Sequence, residues 1–388
     1  MTKRTAPTLP GPVVLFGSGE TSPSGRKVFE KIFSHLPLAP RVALLETPAG
    51  FEPNSAQVIG RVADFLCLRL QNYQPRLSIV QARSRETPFS PDEPSIVSPL
   101  LEADMIFMGP GSPSYAVRQL RASLAWQMIL ARHRLGAALV LASAATIAIS
   151  TYALPVYEIY KVGEDLHWKA GLDFFGLYGL PLVFIPHWNN NDGGEELDTS
   201  RCFMGRARFF RLMEMLPTDM TVLGIDEKTG LIIDIQAGTG LVVGLGGVSL
   251  IHTGPGNKRQ EKRPELVGSG LLEIAEQRQG HVHYYASGES FPLSECCPFE
   301  IPELSMGLSP EVWQQALEAQ TRLEQQVHAQ SQPPPESQPT AEVLLLMEQR
   351  QAARARKDWV GSDALRSQIA ALGWAVVDTP EGPRLSKA

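Results

Sequence analysis

The stretch Ala138-Leu139-Val140-Leu141-Ala142-Ser143-Ala144-Ala145 joins an apolar run of strand length to a segment of small residues. When a buried strand passes into a helix through a serine, the hydroxyl is presented at the end of the sheet on a strained, crowded turn. The alanines around Ser143 suit such a turn, whereas Leu141 does not. We predict Ser143 as a nucleophile. The alternative is that the run up to Ile149 is a buried packing segment of small residues.

Similar apolar runs recur through the first 250 residues and alternate with amphipathic stretches. Continuous apolar runs alternating with helical patterns favour a mostly parallel sheet with helices on both faces. Short turns separate the later runs and predict antiparallel hairpins at one edge. The predicted strands are Val13–Phe16, Arg41–Leu45, Met105–Met108, Ala138–Leu141, Leu182–Ile185, Thr221–Ile225, Leu231–Ile235 and Leu241–Val243. The predicted helices between them include Arg26–His35, Ser55–Leu70, Ser114–His133 and Arg201–Met215.

Three segments are predicted along the chain. An α/β domain covers residues 11–300, and residues 301–340 form a helix (309–329) and a linker rich in Pro, Gln and Ser. Prolines and short polar residues in QSQPPPESQPT (330–340) favour extended chain with nothing to bury. Residues 341–388 read as a small, mainly helical module that ends in a hairpin.

Composition narrows the function classes. A formal charge of −6 over 388 residues argues against a broad nucleic-acid-binding surface. No apolar stretch approaches the ~20 residues that a membrane helix needs, and the first residues hold no apolar signal core. Two of the four cysteines are adjacent, which suits neither a disulfide framework nor a CxxC metal site. We therefore expect a cytoplasmic protein with free thiols and no membrane contact.

A histidine and an acid stand at the ends of two further predicted strands. His187 follows an apolar run and Pro186, and it opens a polar, glycine-containing loop. Glu227 ends the segment Gly224-Ile225-Asp226-Glu227, with Asp226 as the competing acid. A serine, a histidine and a carboxylate at strand ends are the groups that a Ser-His-acid hydrolase needs.

Two glycine-containing loops follow predicted strands and precede predicted helices. Gly17-Ser18-Gly19-Glu20 lets the backbone approach a ligand near a helix N-terminus. Gly109-Pro110-Gly111-Ser112 offers N–H groups to a developing oxyanion. The alternative for both is a plain strand-to-helix turn, with Ser112 or Ser114 as an N-cap in the second.

Arginines cluster after the histidine loop. Arg206, Arg208 and Arg211, with Arg201 further back on the same predicted helix, are candidates for binding a substrate carboxylate. The alternative is an ordinary charged helix face. The nearby acids of residues 192–198 indicate a solvated loop rather than a metal site.

These pieces together resemble the cyanophycinase and dipeptidase E family of serine peptidases, whose fold is flavodoxin-like and close to class I glutamine amidotransferases. The likeness covers residues 11–255 and rests on ordered matches: both glycine loops, Ala142-Ser143-Ala144-Ala145 against a Gly-x-Ser-Ala-Gly elbow, His187 with its downstream arginines, and the segment from Gly224 to Leu231.

The resemblance implies hydrolysis of peptide bonds that are next to acidic residues or near a C-terminus. It implies no metal or organic cofactor. It assigns Ser143, His187 and Glu227 to catalysis, and Gly19, Ser112 and the arginines to substrate binding. Backbone N–H groups near Gly111 and Ala144 would form the oxyanion hole. Leu141 and Ala145 replace two elbow glycines, so activity is expected to be weakened. The alternative is a degenerate fold that binds a ligand, a protein or tRNA.

The tail resembles the small C-terminal domain of bacterial cysteinyl-tRNA synthetases over residues 341–384, through matches such as Met347-Glu348-x-Arg350 and Ser362-Asp363-x-Leu365-Arg366. The resemblance implies a tRNA contact through Arg350, Arg354, Arg356 and Lys357. No segment resembles the synthetase catalytic domain, so we predict no aminoacylation. A homodimer is compatible with the chain.

Overall fold

The computed structural model describes residues 9–253, 282–331, 339–379 and 382–387. The chain divides into two compact units, with the boundary between Leu323 and Glu324. Most of the expected linker lies outside the described residues.

The larger unit is built on an eight-stranded sheet with the order β14-β11-β10-β1-β5-β4-β2-β3. The strands β1, β5, β4, β2 and β3 are parallel, while β10, β11 and β14 extend the edge next to β1 as antiparallel strands. Of the hairpins predicted at this edge, the one between β10 and β11 is confirmed, whereas the run Thr221–Ile225 before β10 belongs to a different sheet. The bounds are β1 Val13–Phe16, β2 Arg41–Leu45, β3 Arg76–Val80, β4 Met105–Met108, β5 Ala138–Ala142, β10 Thr229–Asp234, β11 Thr239–Gly244 and β14 Ser290–Pro292.

A second sheet, not anticipated from the sequence, holds the strands that end at His187 and Asp226. Its order is β13-β12-β9-β8, with β8 and β9 parallel and the others antiparallel. The apolar runs of β8 and β9 are correctly predicted as strands. The amino-acid composition of a run, however, does not indicate which sheet the strand joins. The bounds are β8 Leu182–Ile185, β9 Thr221–Ile225, β12 Gly247–His252 and β13 Val282–Ala286, and a short pair, β6 Tyr152–Ala153 and β7 Lys169–Ala170, stands apart.

Both faces of the main sheet are buried. In β1, Val13 and Leu15 pack into one core, whereas Val14 and Phe16 pack into another on the opposite face. This is why the strands read as continuous apolar runs rather than alternating ones. The helices that cover the sheets are α1 Pro23–Phe33, α2 Ser55–Arg69, α3 Pro94–Val97, α4 Pro113–Leu120, α5 Leu124–Arg134, α6 Ala144–Ala148 and α7 Gly205–Glu214.

The predicted helix over residues 114–133 is two helices, α4 and α5. Ala122 between them has a left-handed φ of 57°. Ser123 then caps α5, since its Oγ accepts the backbone N–H of Trp126 at 3.1 Å. The sequence does not reveal this break, because a serine can lie on the exposed face of a continuous helix or act as the N-cap of a new one.

The long helix α8, Pro310–Ser331, starts close to its predicted position. Val312, Ala316 and Ala319 pack into the core of the α/β unit. This part of residues 301–340 therefore belongs with the larger unit and is not a spacer.

The smaller unit consists of α9 Ala341–Ala355, α10 Trp359–Ala371 and the hairpin β15 Trp374–Thr379 with β16 Gly382–Lys387. Its small core is formed by Val343, Met347, Ile369 and Val376. The two helices and the hairpin agree with the order read from the sequence. In the parts of the chain that the structure describes, no helix has both the length and the apolar character for crossing a membrane.

Candidate active site

Ser143 lies between the carboxyl end of β5 and the first residue of α6, with φ 53° and ψ −111°. A non-glycine residue in that region costs about 1–3 kcal/mol, and such strain concentrates at functional sites. Thr146, in the first turn of α6, donates its hydroxyl to the carbonyls of Phe16 and Leu141, both at 3.1 Å. This hydroxyl ties the turn to two neighbouring strands and holds the serine in its strained conformation.

The two residues that replace the elbow glycines are accommodated. Leu141 is a β5 residue with 0% exposure, and its side chain packs into the main core. Ala145 is buried in the same core. The leucine side chain is thus packed in the core on one side of the elbow. The weakened activity expected from the two replacements stays a prediction.

His187 follows β8 and has a left-handed φ of 52°. Its backbone N–H donates to the carbonyl of Gly17 at 3.0 Å, which attaches the second sheet to the first glycine loop. Its Nε2 lies 3.1 Å from the Oγ of Ser143. The structure thus brings together two residues that are 44 positions apart in the chain.

Glu227 completes the group. The Nδ1 of His187 lies 3.1 Å from Oε1 of Glu227. The hydrogen bond with His187 is the main reason that the pKa of Glu227 is lowered, and burial acts in the opposite direction. A carboxylate accepts, so Nδ1 donates and the neutral imidazole has Nε2 free to accept the serine proton.

Asp226, the competing acid, is directed elsewhere. Its Oδ2 accepts the backbone N–H of Gly247 at 2.8 Å and the hydroxyl of Tyr284 at 3.2 Å. Asp226 therefore fastens β9 to its neighbouring strands. Between the two acids, Glu227 is the one that faces the imidazole.

Two asparagines hold Glu227, and the sequence did not single them out. Asn190, only 3% exposed, donates its Nδ2 to the same Oε1 at 3.0 Å. Asn189 accepts the backbone N–H of Glu227 at 2.8 Å. The run Asn189-Asn190-Asn191 looked like a solvated loop, and nothing in three successive asparagines shows which one is buried.

A cavity of about 340 Å³ opens beside Ser143. Gly111 and Ala144 contribute to its wall, together with His187. Gly111 has φ 144°, and a Cβ there would lie 1.9 Å from the carbonyl oxygen of Pro48, so only glycine fits. Cys202 also lines the cavity, but burial raises its pKa to about 12 and keeps the thiol neutral. The cavity is completed by Pro113, Ile147, Val156, Tyr157, Tyr160, Lys161 and Phe203.

Two residues expected to bind substrate have local structural roles, and their substrate contacts stay predictions. Ser112 is the N-cap of α4: its Oγ accepts the N–H of Tyr115 at 3.2 Å, while its own N–H is engaged by Pro48. Gly19 has φ 73° and accepts the hydroxyl and N–H of Ser22 in the turn before α1. Neither Ser112 nor Gly19 is among the described residues that line the cavity.

The predicted helix over residues 201–215 starts later than expected, and three of its arginines have local partners. Their role in substrate binding stays a prediction. Helix α7 begins at Gly205, because residues 201–203 form a turn with left-handed φ values of 58–66°. Arg208 donates to the carbonyls of Met204 and Phe203, and Arg206 binds Asp198. Arg201 is buried with its guanidinium 4.1 Å from the centre of the Trp188 ring.

The charges of Arg206 and Arg208 thus stabilise the turn and the loop before it. Arg211 is exposed on α7 and is not among the described residues that line the cavity.

In the smaller unit, half of the expected basic cluster is internally paired. Arg350 is buried, and its guanidinium donates to both carboxylate oxygens of Asp378 at 3.3 and 3.2 Å. Arg354 donates to the same carboxylate at 2.6 Å. Arg350 is thus unsuited to the expected phosphate contact. Arg356 and Lys357 are exposed.

Within the described ranges, no group of three or more His, Cys, Asp or Glu side chains is gathered as a metal site.

The solved structures and the curated relatives that resemble this chain match it over very different lengths. No family model matches the chain. A solved structure, a peptidase from an acI-B1 Actinobacterium, is similar with a TM-score of 0.53 and 19% identity, and the match covers 74% of this chain and 98% of that one. At this identity the likeness shows the fold alone. This chain therefore shares the α/β fold of that peptidase, which agrees with the fold class predicted from the sequence.

A short segment in the C-terminal part has curated relatives. It is similar to cysteine–tRNA ligases of Methanosarcina mazei (51% identical over 47 residues) and Streptomyces coelicolor (50% over 44 residues). These matches cover 12% and 11% of this chain, and 10% and 7% of the ligases. The chain therefore spans a tenth or less of the length of these relatives, and the likeness concerns a module rather than a whole enzyme.

Proposed function

We propose that the protein is a serine-type hydrolase of peptide bonds that uses Ser143, His187 and Glu227. The observation that carries this proposal is the hydrogen-bonded chain from Ser143 Oγ to His187 Nε2 and from His187 Nδ1 to Glu227 Oε1, both at 3.1 Å. A nucleophile, a base and an orienting acid in hydrogen-bond reach, with the nucleophile on a strained elbow beside a cavity, are the parts of covalent acyl transfer.

The chemistry follows from the proton positions. As Ser143 Oγ bonds to the substrate carbonyl carbon, Nε2 of His187 takes the hydroxyl proton and Glu227 stabilises the resulting imidazolium. His187 then gives that proton to the departing amine, which leaves an acyl group on Ser143. Water, activated by the same imidazole, releases the acyl group and restores the serine.

The oxyanion formed in both steps needs donors. The backbone N–H of Ala144, in the first turn of α6, has no carbonyl partner earlier in the helix. Gly111 lines the same cavity. We assign the oxyanion hole to these two N–H groups, a role in which one donor contributes about 10²–10³-fold to the rate.

The rival idea of a degenerate, binding-only fold had Leu141 as its main support. The hydrolase proposal is supported over this alternative by the packing of Leu141 in the core and by the contact between Ser143 and His187.

Hydrolysis of a pooled peptide library, followed by mass spectrometry, tests the proposal. Wild type is expected to cleave peptides, and Ser143→Ala and His187→Gln to lose at least about 10³-fold in kcat/KM. Ser34→Ala, at an exposed helix end, is the matched control. Cleavage that persists in Ser143→Ala would place the activity elsewhere.

The ligase-like segment favours a second role, which we also propose: a tRNA contact through the exposed Arg356 and Lys357 of the smaller unit. Phosphate contacts weaken steeply with salt. The full-length chain is expected to shift tRNA mobility at low salt, and the double variant Arg356→Gln/Lys357→Gln to lose the shift. Equal shifts for both proteins would contradict this role.

A further inference from the structure

The cavity beside Ser143 is walled by apolar and aromatic side chains. Ile147, from the helix after the elbow, is 2% exposed, and Val156 is 8% exposed. Tyr157, Tyr160 and Phe203 complete this wall. These side chains come from three separate segments, so the apolar character is a property of the assembled site and not of one run of sequence.

The aromatic part of the wall reaches the catalytic imidazole. The rings of Tyr160 and Phe203 are 5.5 Å apart, and the rings of Phe203 and His187 are 5.9 Å apart. Both separations lie within the range of favourable ring contacts. A group held against Tyr160 and Phe203 is therefore held next to the atoms that perform the proton transfer.

An irregular turn brings Tyr160 to this position. Residues Glu158–Val162 form a single π-helical turn, which ends at Gly163 with a left-handed φ of 86°. Such turns are rare and often occur at functional sites, because the wider coil redirects side chains. Here the turn supplies both Tyr160 and Lys161 to the cavity.

The charges near the cavity disfavour basic side chains. The Nζ of Lys161 lies 5.4 Å from the centre of the Tyr160 ring, and the guanidinium carbon of Arg208 lies 5.9 Å from it, so these cations repel a lysine or arginine side chain. An acidic side chain would lose its hydration among apolar groups. The attraction of Lys161 for it is screened by solvent, because Lys161 is exposed, and the guanidinium of Arg208 already donates to the carbonyls of Met204 and Phe203.

We propose that this cavity selects substrates with an apolar, preferably aromatic, amino-acid side chain next to the bond that Ser143 attacks. A cavity of about 340 Å³ is at the small end of ligand sites and suits one large residue. This inference rests on the proposed hydrolase function. It differs from the acidic substrates that the sequence resemblance implied.

Protection against covalent labelling tests the inference without needing a turnover substrate. Ser143 is labelled with a fluorophosphonate, and the N-acetyl amides of phenylalanine, leucine, aspartate and arginine compete for the site. The phenylalanine and leucine amides are expected to halve the labelling rate at concentrations about tenfold lower than the charged ones, as hydrophobic discrimination commonly gives. The inference is overturned if aspartate or arginine protects as well, or if none of the four protects.

A variant pair links the effect to the wall. Tyr160→Ala is expected to weaken protection by the phenylalanine amide about tenfold, while Tyr160→Phe, which keeps the ring, retains it. Equal protection in both variants would contradict the assigned wall. If Ser143 of folded wild type is not labelled at all, the hydrolase proposal itself fails, whereas labelling without apolar preference overturns the substrate class alone.

Discussion

The polar residues predicted to be functional have different surroundings in the two units of this chain. In the α/β unit, residues that follow three distant strands meet in one hydrogen-bonded chain, and two of them, Ser143 and His187, line a cavity. In the smaller unit, Arg350, one of the four basic residues expected to contact tRNA, is buried and paired with Asp378. A residue that directly follows a buried strand is therefore a good candidate for a shared site. A cluster of like charges in the sequence, by contrast, does not predict that those side chains are free at the surface.

The largest stability effect is expected in the smaller unit. Arg350→Ala removes two charge-assisted hydrogen bonds to Asp378 and the packing of a buried side chain, so we expect this unit to lose about 2 kcal/mol in its free energy of unfolding. Denaturant unfolding of the full chain, followed by hydrogen exchange in residues 341–379, measures it. The exposed Arg356→Ala is the matched control and should change stability by less than about 0.5 kcal/mol. If the two variants behave alike, the pairing has no structural role and the comparison between the units collapses.

In the α/β unit, the next largest effect concerns a positioning residue. Asn190→Ala removes the amide that holds Glu227 against His187, and a hydrogen bond to a charged group is worth about 1.5–3 kcal/mol. We expect kcat/KM to fall at least about tenfold, with the loss mainly in kcat, because the bond orients the acid rather than the substrate. The neighbouring Asn191→Ala is the control. An unchanged kcat would show that Glu227 is held without Asn190.

A smaller effect separates a cap from a binding residue. Ser112→Ala should destabilise the protein by about 1 kcal/mol, since Ser112 caps α4, and should leave fluorophosphonate labelling of Ser143 unaltered. Ser112→Asp, which keeps an N-cap acceptor, should restore the stability. Slower labelling in a stable Ser112→Asp variant would return Ser112 to the substrate site.

The smallest effect is a pH dependence. The pKa of Glu227 is lowered from its usual 4.5 in the folded protein, so its contribution to stability is present above pH 4.5 and is lost as pH falls through the folded value. The difference in Tm between wild type and Glu227→Gln should therefore shrink below pH 4.5. A difference that stays constant down to pH 3 would contradict the hydrogen bond between the Glu227 carboxylate and His187.

The site residues could be selected from the sequence because strand ends are readable from apolar runs, and the serine, the histidine and the acid each follow such a run. That the end of β5 in one sheet lies beside the ends of β8 and β9 in another could not be read from those runs. The choice between Asp226 and Glu227 stayed open, because adjacent residues point to opposite sides and the sequence does not say which side faces the imidazole.

The predicted start of the arginine-bearing helix was wrong for a local reason. The turn at residues 201–203 has left-handed backbone in Arg201, Cys202 and Phe203, none of which signals it by type. The expected helix therefore starts later, at Gly205, and the arginine side chains serve the turn. The second sheet and the π-helical turn beside the cavity were missed because both depend on long-range packing.

The central claim is that Ser143 is an activated nucleophile. The most direct measurement is labelling of wild type and Ser143→Ala with a fluorophosphonate, with the adduct located by mass spectrometry. We expect an adduct on Ser143 in the wild type and none in the variant. A folded wild-type protein that shows no adduct, or a variant that is labelled equally, would contradict it.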